Sequence, residues 1–344
     1  MEYTELESST KHIGTCQDIV KKKAKIAIIG PGSIGSLFSA HLYRAGVDVL
    51  IIDYKRERAH SIIEKGLILE SSDGKSVVTW PRVSLIGELQ TLEAEFIVLC
   101  VKAYSLRPLM PSIVPLVGKE SIFIAVQNGI GYWDDIKGSG QDIPLLLCST
   151  AHGAHKKGEN RVLHAGSGPT YIGPYKKGDD PREVEAGHML EEILNDAGLS
   201  SLYQEDIYPH LWKKLVINCA INPLTAITMR KNGQLLEDPA LMDLQEKIVG
   251  EVLQVADKVG ISMRLTIGDA VGLVQDVCRM TSENISSMLQ DVLRGSQTEI
   301  DYINGAVARL GDAYGVRATV NWVLTTLVKA IVSKNVLTNP APYD

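Results

Sequence analysis

Ala24-Lys-Ile-Ala-Ile-Ile-Gly-Pro-Gly-Ser-Ile-Gly35 is an apolar run of strand length that passes straight into a G-x-G-x-x-G turn. A helical pattern follows through Leu37, Ala40, Leu42 and Ala45 and stops at Gly46. Val47-Asp-Val-Leu-Ile-Ile-Asp53 is a second apolar strand. Strand, glycine turn, helix and strand in that order make the βαβ unit of a Rossmann-type dinucleotide-binding domain. Gly30 permits the tight turn, Gly32 lets the backbone approach a pyrophosphate, and Gly35 allows close packing of the helix. The pyrophosphate is expected on the helix N-terminus, where unpaired N–H groups and the dipole favour an anion. Gly30, Pro31, Gly32, Ser33, Ile34 and Gly35 are therefore expected to touch the cofactor. The plainer alternative is a glycine-rich turn with no ligand.

Asp53 closes the second strand, where an acidic residue accepts hydrogen bonds from the adenosine ribose. A carboxylate there repels a 2′-phosphate and favours NADH over NADPH. Lys55, Arg56 and Arg58 follow directly and could clamp a 2′-phosphate if Asp53 turned away. The plainer reading of these three cations is a solvated charge run.

Further strands are expected at Glu95–Val101, Ser121–Val126 and Leu145–Ser149, with an antiparallel excursion over Val77–Ser84 and a closing hairpin over Val162–Gly173. Ligands of an open parallel sheet bind beyond the carboxyl ends of its strands. Lys102, Asn128 and the small-residue turn at Gly153-Ala154 all fall at such ends. His152, His155 and His164 are read as structural or surface residues, since no partner is evident for any of them. An amphipathic helix over 182–197 and an edge strand over 199–203 complete this half.

From about Asp206 the texture changes to helical periodicity, over 209–230, 238–260, 267–294, 297–314 and 319–333. The chain is thus divided into an N-terminal extension (1–24), a Rossmann-type α/β domain (25–204) and an all-helical domain (205–344). Within the helical half, Leu211-Trp-Lys-Lys-Leu-Val-Ile-Asn-Cys-Ala-Ile-Asn-Pro-Leu-Thr225 carries Leu211, Leu215, Ile217 and Ile221 toward a core. Lys214, Asn218 and Asn222 are four residues apart and drift by only about 40° per step, so they share a narrow polar wedge. An ammonium and two amides suit a small anionic or carbonyl-bearing ligand. Pro223 is expected to kink or stop the helix. Taken alone, Lys214 reads as a solvated face. Arg294-Gly295 is a possible break, Ser296 or Thr298 a plausible cap for the next helix, and Glu299 an acid in its first turn.

Composition narrows the classes. The chain has 344 residues, 45% hydrophobic and 22% charged, with a formal net charge of −6. An acidic balance argues against nucleic acid, and no run approaches the length of a membrane helix. The first 24 residues lack the apolar core of a secretory signal. Five scattered cysteines, Cys16, Cys100, Cys148, Cys219 and Cys278, form no C-x-x-C pair and fit a reducing, cytoplasmic compartment. Cys100 and Cys219 sit in apolar runs and are expected to be buried. No metal-ligand spacing is present.

Taken together, these residues resemble the ketopantoate reductase (2-dehydropantoate 2-reductase) family. The matching stretches are Gly30–Gly35, Val101-Lys-Ala-Tyr104, Gln127-Asn-Gly129, Trp212–Thr225, Asn232-Gly233, Asn284-Ile-Ser-Ser-Met-Leu-Gln-Asp291 and Thr298-Glu-Ile-Asp-Tyr-Ile-Asn-Gly305. They run in family order over roughly residues 25–330. The resemblance implies reduction of a 2-keto acid to an (R)-2-hydroxy acid by a nicotinamide cofactor bound between the two domains. It makes Lys214 the catalytic lysine and Glu299 its paired acid. It places Asn128, Lys214, Asn218, Asn222, Asn232 and Ser287 on the substrate, and Lys102, Asn128, Ala154 and Glu299 on the cofactor. The family typically uses NADPH and carries a basic residue after the second strand; Asp53-Tyr54 departs from that pattern. The alternative within the family is an NAD-dependent D-2-hydroxyacid dehydrogenase, which Asp53 fits. The full set of asparagines with Ser287 and Glu299 favours ketopantoate, whose 4-hydroxyl needs polar partners. A non-catalytic nucleotide sensor would show a decayed catalytic set, which is not the case here. The helical half could support a homodimer, by analogy only.

Overall fold

The computed structural model describes residues 24–139, 143–177 and 180–337, so the extension expected over 1–24 lies outside the described residues except for Ala24. β1 (Ala24–Ile29) enters α1 (Ser33–Arg44) through the glycine turn, and β2 (Val49–Asp53) follows. Next come α2 (Arg56–Lys65), β3 (Leu67–Ser71), β4 (Ser76–Thr79), β5 (Arg82–Leu85), β6 (Ala94–Leu99), α3 (Leu106–Ile113), β7 (Ile122–Ala125) and α4 (Trp133–Lys137). β8 (Leu145–Thr150), β9 (Gly153–Gly158), β10 (Arg161–Gly166), β11 (Thr170–Pro174), α5 (Pro181–Asp196) and β12 (Ser201–Tyr203) complete the α/β portion.

Eight strands form one sheet, in the order β12-β11-β8-β7-β6-β1-β2-β5. From β5 to β8 the pairs are all parallel, and the order is the 3-2-1-4-5-6 of a doubly wound dinucleotide fold. The winding reverses between β1 and β6, and that is where such a sheet binds its ligand. Period-2 alternation gives β1 two apolar faces. Ile26 and Ile28 pack with Leu37 and Phe38 of α1, while Ala27 and Ile29 pack with Leu106 and Met110 of α3.

A second sheet, β4-β3-β10-β9, covers α1, and it corrects two expectations. Val77–Ser84 is not one excursion, because β4 pairs antiparallel with β3 while β5 joins β2 in the main sheet. Val162–Gly173 is not one hairpin either. β10 pairs with β9, and β11 crosses to β8. Closeness in sequence suggests that each pair of segments are neighbours; the two sheets divide them.

After β12 the described chain contains no strand, as the change in texture implies. α6 (Tyr208–Thr228), α7 (Pro239–Lys258), α8 (Ile267–Met280), α9 (Ser287–Leu293), α10 (Asn304–Tyr314) and α11 (Thr319–Leu337) make up the helical portion. α6 is central and touches α7, α8, α9 and α11. Leu211, Leu215 and Ile221 are buried as expected, and Ile217 is partly so.

Pro223 does not stop α6. Proline lacks the N–H that would bond the carbonyl of Cys219. The side chain of Asn304 supplies the donor instead, Nδ2 to Cys219 O at 3.1 Å, and the same Nδ2 reaches Asn321 Oδ1 at 2.9 Å. The continuous helix expected over 267–294 is in fact broken between α8 and α9. Carbonyls at the break serve another segment: the Asn232 N–H donates to Asn284 O at 2.9 Å and the Gly233 N–H to Ser282 O at 3.1 Å. The helix expected from 297 begins only at Asn304, after a single tight turn over Ile300–Tyr302, and neither Ser296 nor Thr298 caps it. Cys219 is buried, but Cys100, one residue past β6, is only partly so: it packs at the margin of the core that holds Leu37 and Phe38, beside Gly35 of the glycine turn. No helix among the described residues is long and apolar enough to cross a membrane.

Candidate active site

The three glycines of the turn answer to different constraints. Gly30 has φ +88°, and a Cβ there would lie 2.6 Å from Val101 Cγ1. A Cβ on Gly35 would lie 2.4 Å from Gly30 O. Both are therefore required by the protein itself. Gly32 is not, since its Cβ would meet nothing closer than Cys100 O at 3.9 Å. Gly32 is also the N-cap of α1 and makes no side-chain capping bond. An open backbone at an uncapped helix N-terminus fits a pyrophosphate, which needs close approach and free N–H donors.

Glu299 is the hub of the site. It is buried, 5% exposed, just before the Ile300–Tyr302 turn. It makes no capping bond, so the expectation of a first-turn acid does not describe it. Its Oε1 accepts from the Ala103 backbone N–H at 3.1 Å, and its Oε2 from Asn128 Nδ2 at 3.2 Å and Lys102 Nζ at 3.3 Å. Lys102 lies three residues beyond the observed end of β6, and Asn128 lies beyond β7. A carboxylate of the helical portion thus ties together the carboxyl ends of two strands. Gly129 makes this approach possible: at φ +87°, a Cβ would sit 2.0 Å from Tyr302 O, and the Ile130 N–H donates to that oxygen at 2.9 Å.

Lys102 has a second anion, Asp291 Oδ2 on α9 at 2.7 Å. Burial works against its ammonium, but Glu299 and Asp291 more than offset this and raise its pKa above the ordinary lysine value. Lys214, half-buried on α6, is different. Among the described residues no carboxylate comes within salt-bridge range of its Nζ. Burial lowers its ammonium to about 8, opposed by the charge of Glu299. The result is a cation poised near neutrality, as a proton donor should be.

Asn218 is half-buried and Asn222 buried, on the wedge that begins at Lys214. Ser287 is exposed at the first turn of α9. Its neighbour Ser286 caps that helix and accepts from Thr225 Oγ1 of α6 at 2.7 Å, which holds the start of α9 against α6. Asn232 is buried; its Nδ2 donates to Thr281 Oγ1 at 2.8 Å, and its Oδ1 is buried with no protein partner among the described residues. That bond points to the α8–α9 break and not to Lys214. Ala154 is on β9, not in a turn, and packs on the same core as Ile34.

Asp53 and Arg58 are locked together. Arg58 Nε bonds Asp53 Oδ2, Arg58 Nη2 bonds Oδ1 at 2.5 Å, and the Lys55 N–H donates to Oδ1 at 2.9 Å. Arg58 is 7% exposed, so it does not belong to a solvated charge run; Lys55 and Arg56 are exposed. The histidines also have partners that the sequence did not show. His152 Nδ1 lies 3.1 Å from His164 Nε2, the His164 ring meets that of His41 edge-on, and His155 Nδ1 lies 3.2 Å from Gln290 Nε2. Burial, with His164 and His41 nearby, holds His152 down to about 4 and therefore neutral. Asp291 and Gln290 stand inside a quoted block, but no spacing rule could assign them partners so far away in the chain. No group of His, Cys, Asp and Glu among the described residues could hold a metal ion.

Residues 26–177 match the family model "Ketopantoate reductase PanE/ApbA", and residues 206–332 match its "C terminal" counterpart. The 2-dehydropantoate 2-reductase of Archaeoglobus fulgidus is 31% identical over 90% of this chain and 98% of its own. That of Pyrococcus horikoshii is 33% identical over 89% and 97%. Among solved structures, a D-mandelate dehydrogenase with NADH and anilino(oxo)acetate superposes with TM-score 0.83 at 28% identity, covering 90% of this chain and 99% of that one. A PanE/ApbA family ketopantoate reductase from Ralstonia eutropha gives 0.80 at 27%, with the same coverage. The chain belongs to the ketopantoate reductase family and is a nicotinamide-dependent oxidoreductase.

Proposed function

We propose that the protein reduces 2-dehydropantoate to (R)-pantoate, the step that serves pantothenate and coenzyme A synthesis, and that it uses NADPH. The observation that carries this reading is the Glu299 hub, which draws Lys102 and Asn128 of the α/β portion toward Lys214 of the helical portion. When bound, the cofactor supplies the hydride. The Lys214 ammonium hydrogen-bonds the keto oxygen, opposes the negative charge that grows on it and donates a proton to it. Glu299 keeps Lys214 protonated and, through the Ala103 N–H and Asn128, fixes the two portions around the reacting carbon. Asn218, Asn222 and Ser287 orient the substrate. Asn232 Oδ1, an acceptor buried without a protein partner among the described residues, suits the hydroxyl at the far end, since an unmet acceptor gains most from a donor.

The geometry at Asp53 supports NADPH. Its side chain is fully buried, and both oxygens are engaged by Arg58. A neutralised carboxylate offers the ribose little and repels a 2′-phosphate little, and exposed Lys55 and Arg56 stand beside it. Arg58→Met should therefore free Asp53 and lower the NADPH-to-NADH preference by about tenfold or more, equivalent to about 1.4 kcal/mol. An unaltered ratio in that variant would mean that the pair does not border the ribose.

The second reading, an NADH-dependent D-2-hydroxyacid dehydrogenase, is favoured by the likeness to the D-mandelate dehydrogenase. Initial rates with ketopantoate, 2-ketoisovalerate and phenylglyoxylate, each with NADPH and with NADH, separate the two. Highest kcat/KM for ketopantoate with NADPH is expected. Fast NADH-dependent turnover of phenylglyoxylate beside poor turnover of ketopantoate would establish the second reading.

A further inference from the structure

α9 is seven residues long. A helix that short has little stability of its own and takes its position from its contacts. Its start is fixed by Ser286 on Thr225. Farther along, two consecutive side chains reach the α/β portion at different places. Asp291 holds Lys102, after β6, at 2.7 Å, and Gln290 Nε2 lies 3.2 Å from His155 Nδ1 on β9. Consecutive helical residues point about 100° apart, so they can grip two walls at once. The two walls flank the glycine turn. Val101, beside Lys102, is the residue that Gly30 abuts, and Ala154, beside His155, shares a core with Ile34. α9 therefore bridges the mouth of the dinucleotide cleft, with Ser287 at its leading end.

We infer that His155 is a positioning residue for this reaction: through Gln290 it anchors α9 to β9, and so sets Ser287 and Asp291 across the cofactor cleft. This rests on the reading that the cleft binds NADPH and the wedge binds a 2-keto acid. Gln290 Nε2 is fixed at the same time by Ile285 O at 3.2 Å, so the amide donates to His155 from a restrained position. An amide nitrogen only donates, so His155 Nδ1 is the acceptor of this bond. It touches neither Lys214 nor Glu299 by any hydrogen bond, and its loss should loosen binding while sparing the chemistry at Lys214.

The test uses the full chain carrying His155→Ala, Gln290→Ala, both together, and His155→Asn. The Kd for NADPH is measured by fluorescence titration without keto acid, and kcat and KM for the keto acid are measured separately. Each alanine variant should raise Kd and KM by about 3- to 10-fold, the range of one hydrogen bond, with kcat changing less. The double variant should be no worse than Gln290→Ala, because His155 then has no amide left to lose. His155→Asn should bind like the unaltered protein, since the Oδ1 of asparagine lies where Nδ1 lies. Additive losses, unchanged Kd and KM in both alanine variants, or an asparagine variant as weak as the alanine one would overturn the inference. Failure of the unaltered protein to bind NADPH at all would instead sink the cofactor reading, and this inference with it. A different preferred keto acid would leave the titration intact.

Discussion

Lys214→Ala should lower kcat by a factor on the order of 10² or more, the expected loss when a positioned general acid is removed. The size follows from the surroundings of Lys214. Its Nζ is partly desolvated and lacks a salt-bridge partner among the described residues, so its charge is available to a substrate oxygen. Lys102, the lysine that bonds Glu299, is held between it and Asp291 and is not available to replace Lys214. The pH dependence has a definite sign. The acid form is the ammonium, and its pKa is lowered to about 8. Reduction should therefore fall as pH rises through about 8, and that limb should vanish in the variant. Lys214→Arg keeps the charge but cannot release the proton, and should fall between the two. Near-normal turnover of the alanine variant across the pH range would remove Lys214 from the mechanism.

Glu299→Gln should lower kcat by about 10- to 100-fold with little change in shape, since the amide is isosteric. Three effects combine. The Ala103 N–H can still find an oxygen, but Lys102 and Asn128 then face an amide instead of a charge. Lys214 loses the one carboxylate that raises its pKa. The alkaline limb of the pH–rate profile should thus move to lower pH, which a purely structural defect would not cause. Stability should drop by about 1–3 kcal/mol for loss of buried, charge-assisted bonds; Lys102 retains Asp291, so the loss stays well below that for stranding a buried ion. A measured limb at the wild-type position would show that Glu299 does not govern the charge on Lys214.

Local features of this protein were legible and distant pairings were not. The strand, glycine turn, helix and strand over Ala24–Asp53 follow from patterns within a few residues, and the α6 wedge follows from helical spacing alone. Glu299 stands out only through the resemblance, and its bonds to Lys102 and Asn128 only in the structure, because spacing cannot join residue 299 to residues 102 and 128. Arg58 looked solvated because its neighbours are; it is buried because Asp53, five residues earlier, neutralises it. His155 read as a structural or surface residue because its partner, Gln290, lies in the other half of the chain. At Pro223 the expected stop did not occur. A local rule that normally ends a helix was overruled by one amide from a helix in contact with its neighbours.

That amide also acts as an alignment pin. Cys219 lies five residues after Lys214, and Asn304 lies five residues after Glu299. The carbonyl that Pro223 leaves unmet accepts from a single side chain, so the Glu299–Asn304 segment can seat against α6 in one register only. A slip by one residue would strand the buried Cys219 carbonyl. The proline's missing N–H thus indexes two remote segments to each other, and the helix that carries Lys214 is set against the segment that carries Glu299 by a bond that touches neither residue.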